Sequence, residues 1–171
     1  MHYSVGIIGC GTIGHELALA IDNGKVNNAS LIALFDKEEN ALNSLTSKLE
    51  NNSPAVFTDS SRFFSSACFK ETNIILESAS QDAIREFAKT IVGAGKSLLV
   101  MSVGAFSDMP LLSDLIRIST TRGSRIFVPT GALAGIDAIR SVRHMVDSIK
   151  LVTTKNPKSL VRPTPAAPTS A

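Results

Sequence analysis

Val5-Gly6-Ile7-Ile8-Gly9-Cys10-Gly11-Thr12-Ile13-Gly14 decides the fold. Four residues of β character, Val5 to Ile8, run into Gly9-x-Gly11-x-x-Gly14, and an apolar helical pattern follows at once. Strand, glycine turn and helix in that order form the context in which G-x-G-x-x-G marks a dinucleotide site. Gly9 permits the tight turn off the strand. Gly11 lets a pyrophosphate approach the backbone, and Gly14 lets the helix lie close to the strand. Cys10, Thr12 and Ile13 complete the loop, with Cys10 filling a small slot between two glycines. The pyrophosphate would rest on the free N–H groups and positive dipole end of the helix.

Working outward, Ile13, Leu17, Ala20 and Ile21 share one face of a helix that ends near Asn23-Gly24. Ser30 to Phe35 is a continuous run of the kind expected for a strand buried on both faces of a parallel sheet. It ends in Asp36, 22 residues beyond Gly14, close to where the fingerprint expects an acid that bonds ribose hydroxyls. Asp36-Lys37-Glu38-Glu39 also resembles a capping box, so Asp36 is equally a helix N-cap candidate, and the two roles are compatible. An acid at this position favours NAD by repelling a 2′-phosphate, while Lys37 beside it leaves NADP use open.

Further strands are expected at Ala55 to Thr58, Asn73 to Glu77, Ser97 to Met101 and Arg125 to Val128. Helices lie between them, one carrying Leu42, Leu45 and Leu49 and one opened by Ser80 with Ile84, Phe87, Ala88 and Ile91 on one face. Another is opened by Asp108 and ended by Gly123, with Leu111, Leu112, Leu115, Ile116 and Ile118 as its apolar residues. Strands alternating with helices predict an α/β Rossmann fold, a doubly wound parallel sheet with its ligand at the strands' carboxyl ends. Three of those ends are small or hydroxyl-bearing: Ser78-Ala79-Ser80 after Glu77, Ser102-Val103-Gly104-Ala105, and Pro129-Thr130-Gly131-Ala132. Each alone could be a simple strand-to-helix turn, but three in succession suggest a lined crevice.

Pro129 to Gly135 then opens a helix with Ile136, Ile139, Val142 and Val146, and Asp147 to Thr154 alternates as a half-buried strand would. Four of the seven prolines fall in the last 15 residues, so that tail reads as extended or disordered. The expected organisation is a dinucleotide-binding domain over 1–135, the beginning of a truncated second domain over 136–156, and a Pro/Ala-rich tail over 157–171.

With 17 basic and 15 acidic residues interleaved, the net charge of +2 argues against a nucleic-acid surface. No apolar run reaches transmembrane length, and Cys10 and Cys68 show neither metal-ligand spacing nor a disulfide framework. A reducing cytoplasm is the expected compartment. No metal site is expected. His2 precedes the first strand, His15 follows Gly14 on a surface or phosphate side, and His144 lies beside Arg140 and Arg143 on what reads as a solvated face. Asp108 and Asp137 are better explained as helix-start residues, so no catalytic residue is assigned.

The motifs together resemble the L-aspartate dehydrogenases. The resemblance rests on the glycine fingerprint, on Glu77-Ser78-Ala79-Ser80, on Met101 to Ala105, and above all on Val128-Pro129-Thr130-Gly131-Ala132-Leu133-Ala134-Gly135-Ile136-Asp137-Ala138, with Thr153-Thr154-Lys155-Asn156-Pro157 trailing. It covers residues 3 to about 162. It implies NAD- or NADP-dependent oxidative deamination of L-aspartate to iminoaspartate, which feeds NAD synthesis, by a homodimer. It also implies that Ala132 contacts the nicotinamide side. The family continues into a domain bearing a catalytic histidine and a cofactor-binding asparagine, for which no position matches here. The chain therefore resembles the nucleotide-binding part, and turnover by the chain alone is not expected. Two alternatives stay open: a non-catalytic dinucleotide-binding module, and the nucleotide half of a homoserine-type dehydrogenase.

Overall fold

In the computed structural model, residues 2–130, 139, 141–150, 152 and 154 are described. The chain divides into two compact units, Met1–Ala132 and Leu133–Ala171. The first is built in the order β1 (Tyr3–Ile8), α1 (Thr12–Asp22), β2 (Ala29–Phe35), α2 (Glu39–Thr46), β3 (Ala55–Phe57), α3 (Ser60–Ser65), α4 (Ala67–Glu71), β4 (Ile74–Glu77). It continues with α5 (Gln81–Gly93), β5 (Ser97–Val100), a 3₁₀ turn (Val103–Ser107), α6 (Met109–Arg122) and β6 (Ile126–Phe127). The six strands pair in parallel in the order β3-β2-β1-β4-β5-β6. This is the doubly wound order, reversing direction between β1 and β4.

Both faces of the sheet are covered, which is why its strands are nearly continuous apolar runs. Val5 and Ile7 face α1 and α2 with Ala18, Ile21, Leu42 and Leu45. Ile8, Ile75 and Leu98 face the other side, against Phe63, Phe87 and Leu115. In the β1–β2 pairing, Val5 opposes Leu31 and Gly6 opposes Ala33, so β2 carries one extra residue, Ile32. This bulge explains why Leu31 and Leu34, three apart, pack in the same core cluster.

Helix faces are shifted slightly from the sequence expectation. On α1 the buried positions are Gly14, Ala18, Ile21 and Asp22, and Ile13 is 49% exposed. Ile13 lies one residue, about 100°, off the face that meets the sheet. Likewise α6 buries Leu111 and Leu115 with Ile118 against them, leaving Ile116 exposed. Leu49 packs against the core from beyond the end of α2.

α3 and α4 were not anticipated from periodicity, because each is shorter than two turns. They are held by caps and aromatic packing: Asp59 accepts from Arg62 N at 2.8 Å and Ser66 Oγ from Phe69 N at 3.0 Å. Phe63 stacks on Phe35 at 5.6 Å between ring centroids and meets Phe57, Phe64 and Phe69 edge-on. Ser80 and Asp108 cap α5 and α6 as expected, accepting from Ala83 N at 3.1 Å and Leu111 N at 3.0 Å.

A buried carboxylate ties the end of α1 to the loop after α2. Asp22 accepts from the backbone N–H groups of Glu50, Asn51 and Asn52 and from Asn52 Nδ2, at 2.7 to 3.1 Å. Burial alone would raise its pKa, but these donors together hold it below the usual carboxylate value.

In the second unit, Ile139 and Ser141 are helical and Arg143–Met145 form a 3₁₀ turn. Asp147–Lys150, Val152 and Thr154 are not in a strand, contrary to the alternation read from sequence, and all of them are exposed. Alternation specifies a strand only where a partner sheet buries one face. Ile136, Asp137 and the Pro-rich tail over 157–171 lie outside the described residues.

Candidate functional site

The three fingerprint glycines turn out to answer to different constraints. Gly9 has φ +91°, and a Cβ there would lie 2.5 Å from Ala79 N on the neighbouring β4 turn. That junction is stitched by Gly9 N donating to Phe35 O, Ser78 N to Ile8 O and Ser78 Oγ to Gly9 O, each at 2.8 Å. A Cβ on Gly14 would run into the Gly9 carbonyl and come within 2.8 Å of Ser78 Oγ. Gly9 and Gly14 are therefore demanded by the fold itself.

Gly11 is not. Nothing lies within 4 Å of where its Cβ would be, and its φ of −71° and ψ of −164° suit any residue. It sits at the N-cap of α1, which has no side-chain cap, whereas α3, α4, α5 and α6 are each capped by Asp or Ser. Backbone donors at a positive helix end, with open space beside them, form an anion cradle that a Cβ would fill. A pyrophosphate fits this donor set.

Asp36 caps the tip of β2 in a different way from either expectation alone. Its Oδ2 accepts from Cys10 N at 2.6 Å and its Oδ1 from Glu38 N at 2.9 Å. α2 begins later, with Glu38 at the N-cap and no side-chain cap, so no capping box forms. The carboxylate is thus pinned to the glycine turn, with lone pairs left to accept further hydrogen bonds. Burial, and then the Asp36 charge, push the Cys10 thiol up to about 12, leaving it a protonated space-filler.

Beside Asp36 opens a cavity of about 130 Å³ bordered by Gly9, Phe35, Ala79, Ala83 and Phe87. Phe35 and Phe87 meet edge-to-face at 5.7 Å. The walls are apolar and the mouth is charged, with Asp36, Lys37, Asp82 and Glu86. This arrangement suits a flat heteroaromatic base with its sugar at the rim.

Glu77, which the sequence reading names only as a strand end, holds the site's scaffold together. It is 1% exposed and collects four donors. Oε1 accepts from Ala79 N, Ser80 N and Ser102 Oγ, and Oε2 from Ser102 N, at 2.8 to 3.0 Å. It thereby ties the β4 and β5 strand ends together. The available signal was an acid ending an otherwise apolar strand, followed by small residues.

The sequence-derived residues accordingly separate into groups. Gly9, Cys10, Gly11, Thr12, Ile13, Gly14 and Asp36 are brought together around the α1 N-terminus. Ala79 lies against Gly9. The hydroxyls of Ser78, Ser80 and Ser102 all serve the scaffold, as donor to Gly9 O, cap of α5 and donor to Glu77. Val103 and Gly104 lie in the 3₁₀ turn, where a Cβ on Gly104 would collide with the Gln81 amide. Ala132 lies outside the described residues. His15, in the first turn of α1, has a buried Nε2 with no hydrogen-bond partner among the described residues. Among those residues no group of acids, histidines or cysteines could hold a metal, and no helix is long and apolar enough to cross a membrane.

Residues 9–129 match the family described as "Homoserine dehydrogenase, NAD binding domain". The chain belongs to this family of NAD-binding domains. The chain is 36% identical over 156 residues to the L-aspartate dehydrogenase of Nitrosopumilus maritimus (strain SCM1), covering 91% of this chain and 55% of that protein. It is 38% identical over 157 residues to the L-aspartate dehydrogenase of Methanosarcina barkeri (strain Fusaro / DSM 804), with the same coverages. The chain thus spans about half the length of the curated relatives it matches. Among solved structures, aspartate dehydrogenase from Thermotoga maritima superposes with TM-score 0.59 at 22% identity, over 84% of this chain and 52% of that one. An oxidoreductase from Agrobacterium radiobacter in complex with NAD+, L-tartaric acid and magnesium gives TM-score 0.65 at 12% identity, over 85% and 41%. These two likenesses bear on the fold alone.

Proposed function

We propose that this chain is the nucleotide-binding part of an L-aspartate dehydrogenase, holding NAD for the oxidative deamination of L-aspartate to iminoaspartate. The observation that carries this reading is the extent of the match. A 156-residue alignment in a chain of 171 must include residues 16–156, so the likeness runs past residue 129, where the family match ends, and through Pro129 to Ala138. That stretch carries the most specific part of the motif set.

The chain's own residues would bind and orient. The backbone N–H groups at the start of α1 hold the pyrophosphate, Asp36 accepts from ribose hydroxyls, and Phe35 and Phe87 wall the base. Glu77 sets the spacing of the β4 and β5 ends, which border the route toward the nicotinamide. When bound, a nicotinamide supplies the hydride acceptor. Oxidation at the substrate Cα would release a proton from the amine nitrogen and leave an imine open to hydrolysis to oxaloacetate and ammonia. The fold's contribution is to hold two carbons in reactive geometry and keep water out. Ala132 is proposed as a contact on the nicotinamide side, and a cytoplasmic homodimer as the working form.

The description of the matched family favours one second reading, a homoserine-type dehydrogenase. The test joins this chain to the C-terminal region of the N. maritimus relative and follows NADH formation with L-aspartate or L-homoserine. Turnover of L-aspartate is expected. Turnover of L-homoserine alone would support the second reading, and normal NADH binding with no oxidation of either would leave only a binding module.

A further inference from the structure

We infer that Glu86 keeps the cleft selective for a coenzyme without a 2′-phosphate by holding Lys37. This rests on the nucleotide reading above. Lys37 follows Asp36 directly, and its ammonium is the only basic group lining the cleft among the described residues. A phosphate on the ribose carbon that Asp36 faces would need a cation, and Lys37 is the one within a residue of it.

In the structure, Lys37 Nζ lies 3.6 Å from Glu86 Oε2, across the mouth of the cleft. Asp82, the other acid on this side of α5, is bridged by Arg85 at 2.7 Å. Glu86 is therefore the carboxylate that engages Lys37. Asp82 and Glu86 lie four residues apart, on one face of the helix. Both members of the Lys37–Glu86 pair are more than half exposed, so the pair adds little to stability. Its effect falls on ligand choice. With Glu86 charged, a 2′-phosphate meets the Asp36 carboxylate and competes with Glu86 for Lys37. With Glu86 neutral, Lys37 is free to turn to the phosphate.

The test is titration of the complete 171-residue chain with NADH and with NADPH, read by the coenzyme's fluorescence. Glu86→Gln should shift the NADPH-to-NADH affinity ratio toward NADPH by about two- to fivefold at low salt, the order that releasing one exposed ion pair allows. High salt should shrink that shift. The double variant Lys37→Gln with Glu86→Gln should return most of the ratio. An unchanged ratio in Glu86→Gln, with NADH still bound, would overturn the inference and leave the nucleotide reading standing. So would a shift that survives in full when Lys37 is also replaced. Failure of the unaltered chain to bind either coenzyme would overturn both.

Discussion

Adding a single methyl group at each of the three fingerprint glycines should separate the fold's requirements from the ligand's. At Gly9 the alanine variant must hold φ near +91° and place its Cβ 2.5 Å from Ala79 N. The left-handed backbone costs about 1–2 kcal/mol and the overlap about 1–3 more. The sum, roughly 2–5 kcal/mol, is a large part of the 5–15 kcal/mol typical of a domain. Gly14→Ala gains about 1 kcal/mol of helix propensity but drives its Cβ into the Gly9 carbonyl, which already accepts from Ser78 Oγ. It too should destabilise, by roughly 1–3 kcal/mol. Gly11→Ala meets nothing within 4 Å. A poorer N-cap costs about 0.5–1 kcal/mol, and a less flexible unfolded chain returns about the same. Its stability should stay within about 1 kcal/mol of the unaltered chain, while NADH binding weakens at least about tenfold, or 1.4 kcal/mol. Gly11→Val should bind more weakly still. Urea unfolding followed by circular dichroism gives the first quantity, and fluorescence titration of folded protein gives the second. If Gly11→Ala unfolds as readily as Gly9→Ala, or if folded Gly11→Val binds NADH normally, the separation of roles is wrong.

Three further outcomes are expected. Asp36→Ala should lose about 1–3 kcal/mol of stability by stripping the acceptor from the buried Cys10 N–H, and should reduce preference for NAD over NADP; equal affinity for both coenzymes before the substitution would remove the ribose role. Asp22 has a folded pKa below its unfolded value, so its stabilisation is fully present above about pH 4 and is lost as pH falls through the folded value. Asp22→Asn should flatten that acid limb in urea titrations at successive pH values, and an unchanged limb would mean other carboxylates dominate it. Native Cys10, buried and with its thiol pushed up to about 12, should resist iodoacetamide at pH 8 while the less buried Cys68 reacts first, as peptide mapping would show; rapid labelling of Cys10 in folded protein would contradict the turn geometry.

Much of this molecule could be read from spacing alone. An apolar run flanked by turn residues specifies a buried parallel strand whatever its neighbours, and G-x-G-x-x-G after such a run specifies the turn that joins it to a helix. Asp36 was legible because its distance from Gly14 is set by one helix and one strand. Ser80, Asp108 and Gly123 were legible because capping is local: Ser80 and Asp108 accept from N–H groups three residues on, and Gly123 takes φ +69°. What depends on long-range contact was not. Whether a glycine answers to the fold or to a ligand follows from what its absent Cβ would touch, and Ala79 is 70 residues from Gly9. Glu77 looked like a strand end until Ser102, 25 residues on, was seen donating to it twice. The hydroxyls of Ser78, Ser80 and Ser102 suggested a ligand-facing crevice, yet each also has a partner in the scaffold: the Gly9 carbonyl, the Ala83 N–H and the Glu77 carboxylate. Of the alternating stretch Asp147–Thr154, the described residues Asp147–Lys150, Val152 and Thr154 are exposed and outside any strand. A period of two is only a capacity to bury one face, and a neighbouring sheet has to be there to realise it.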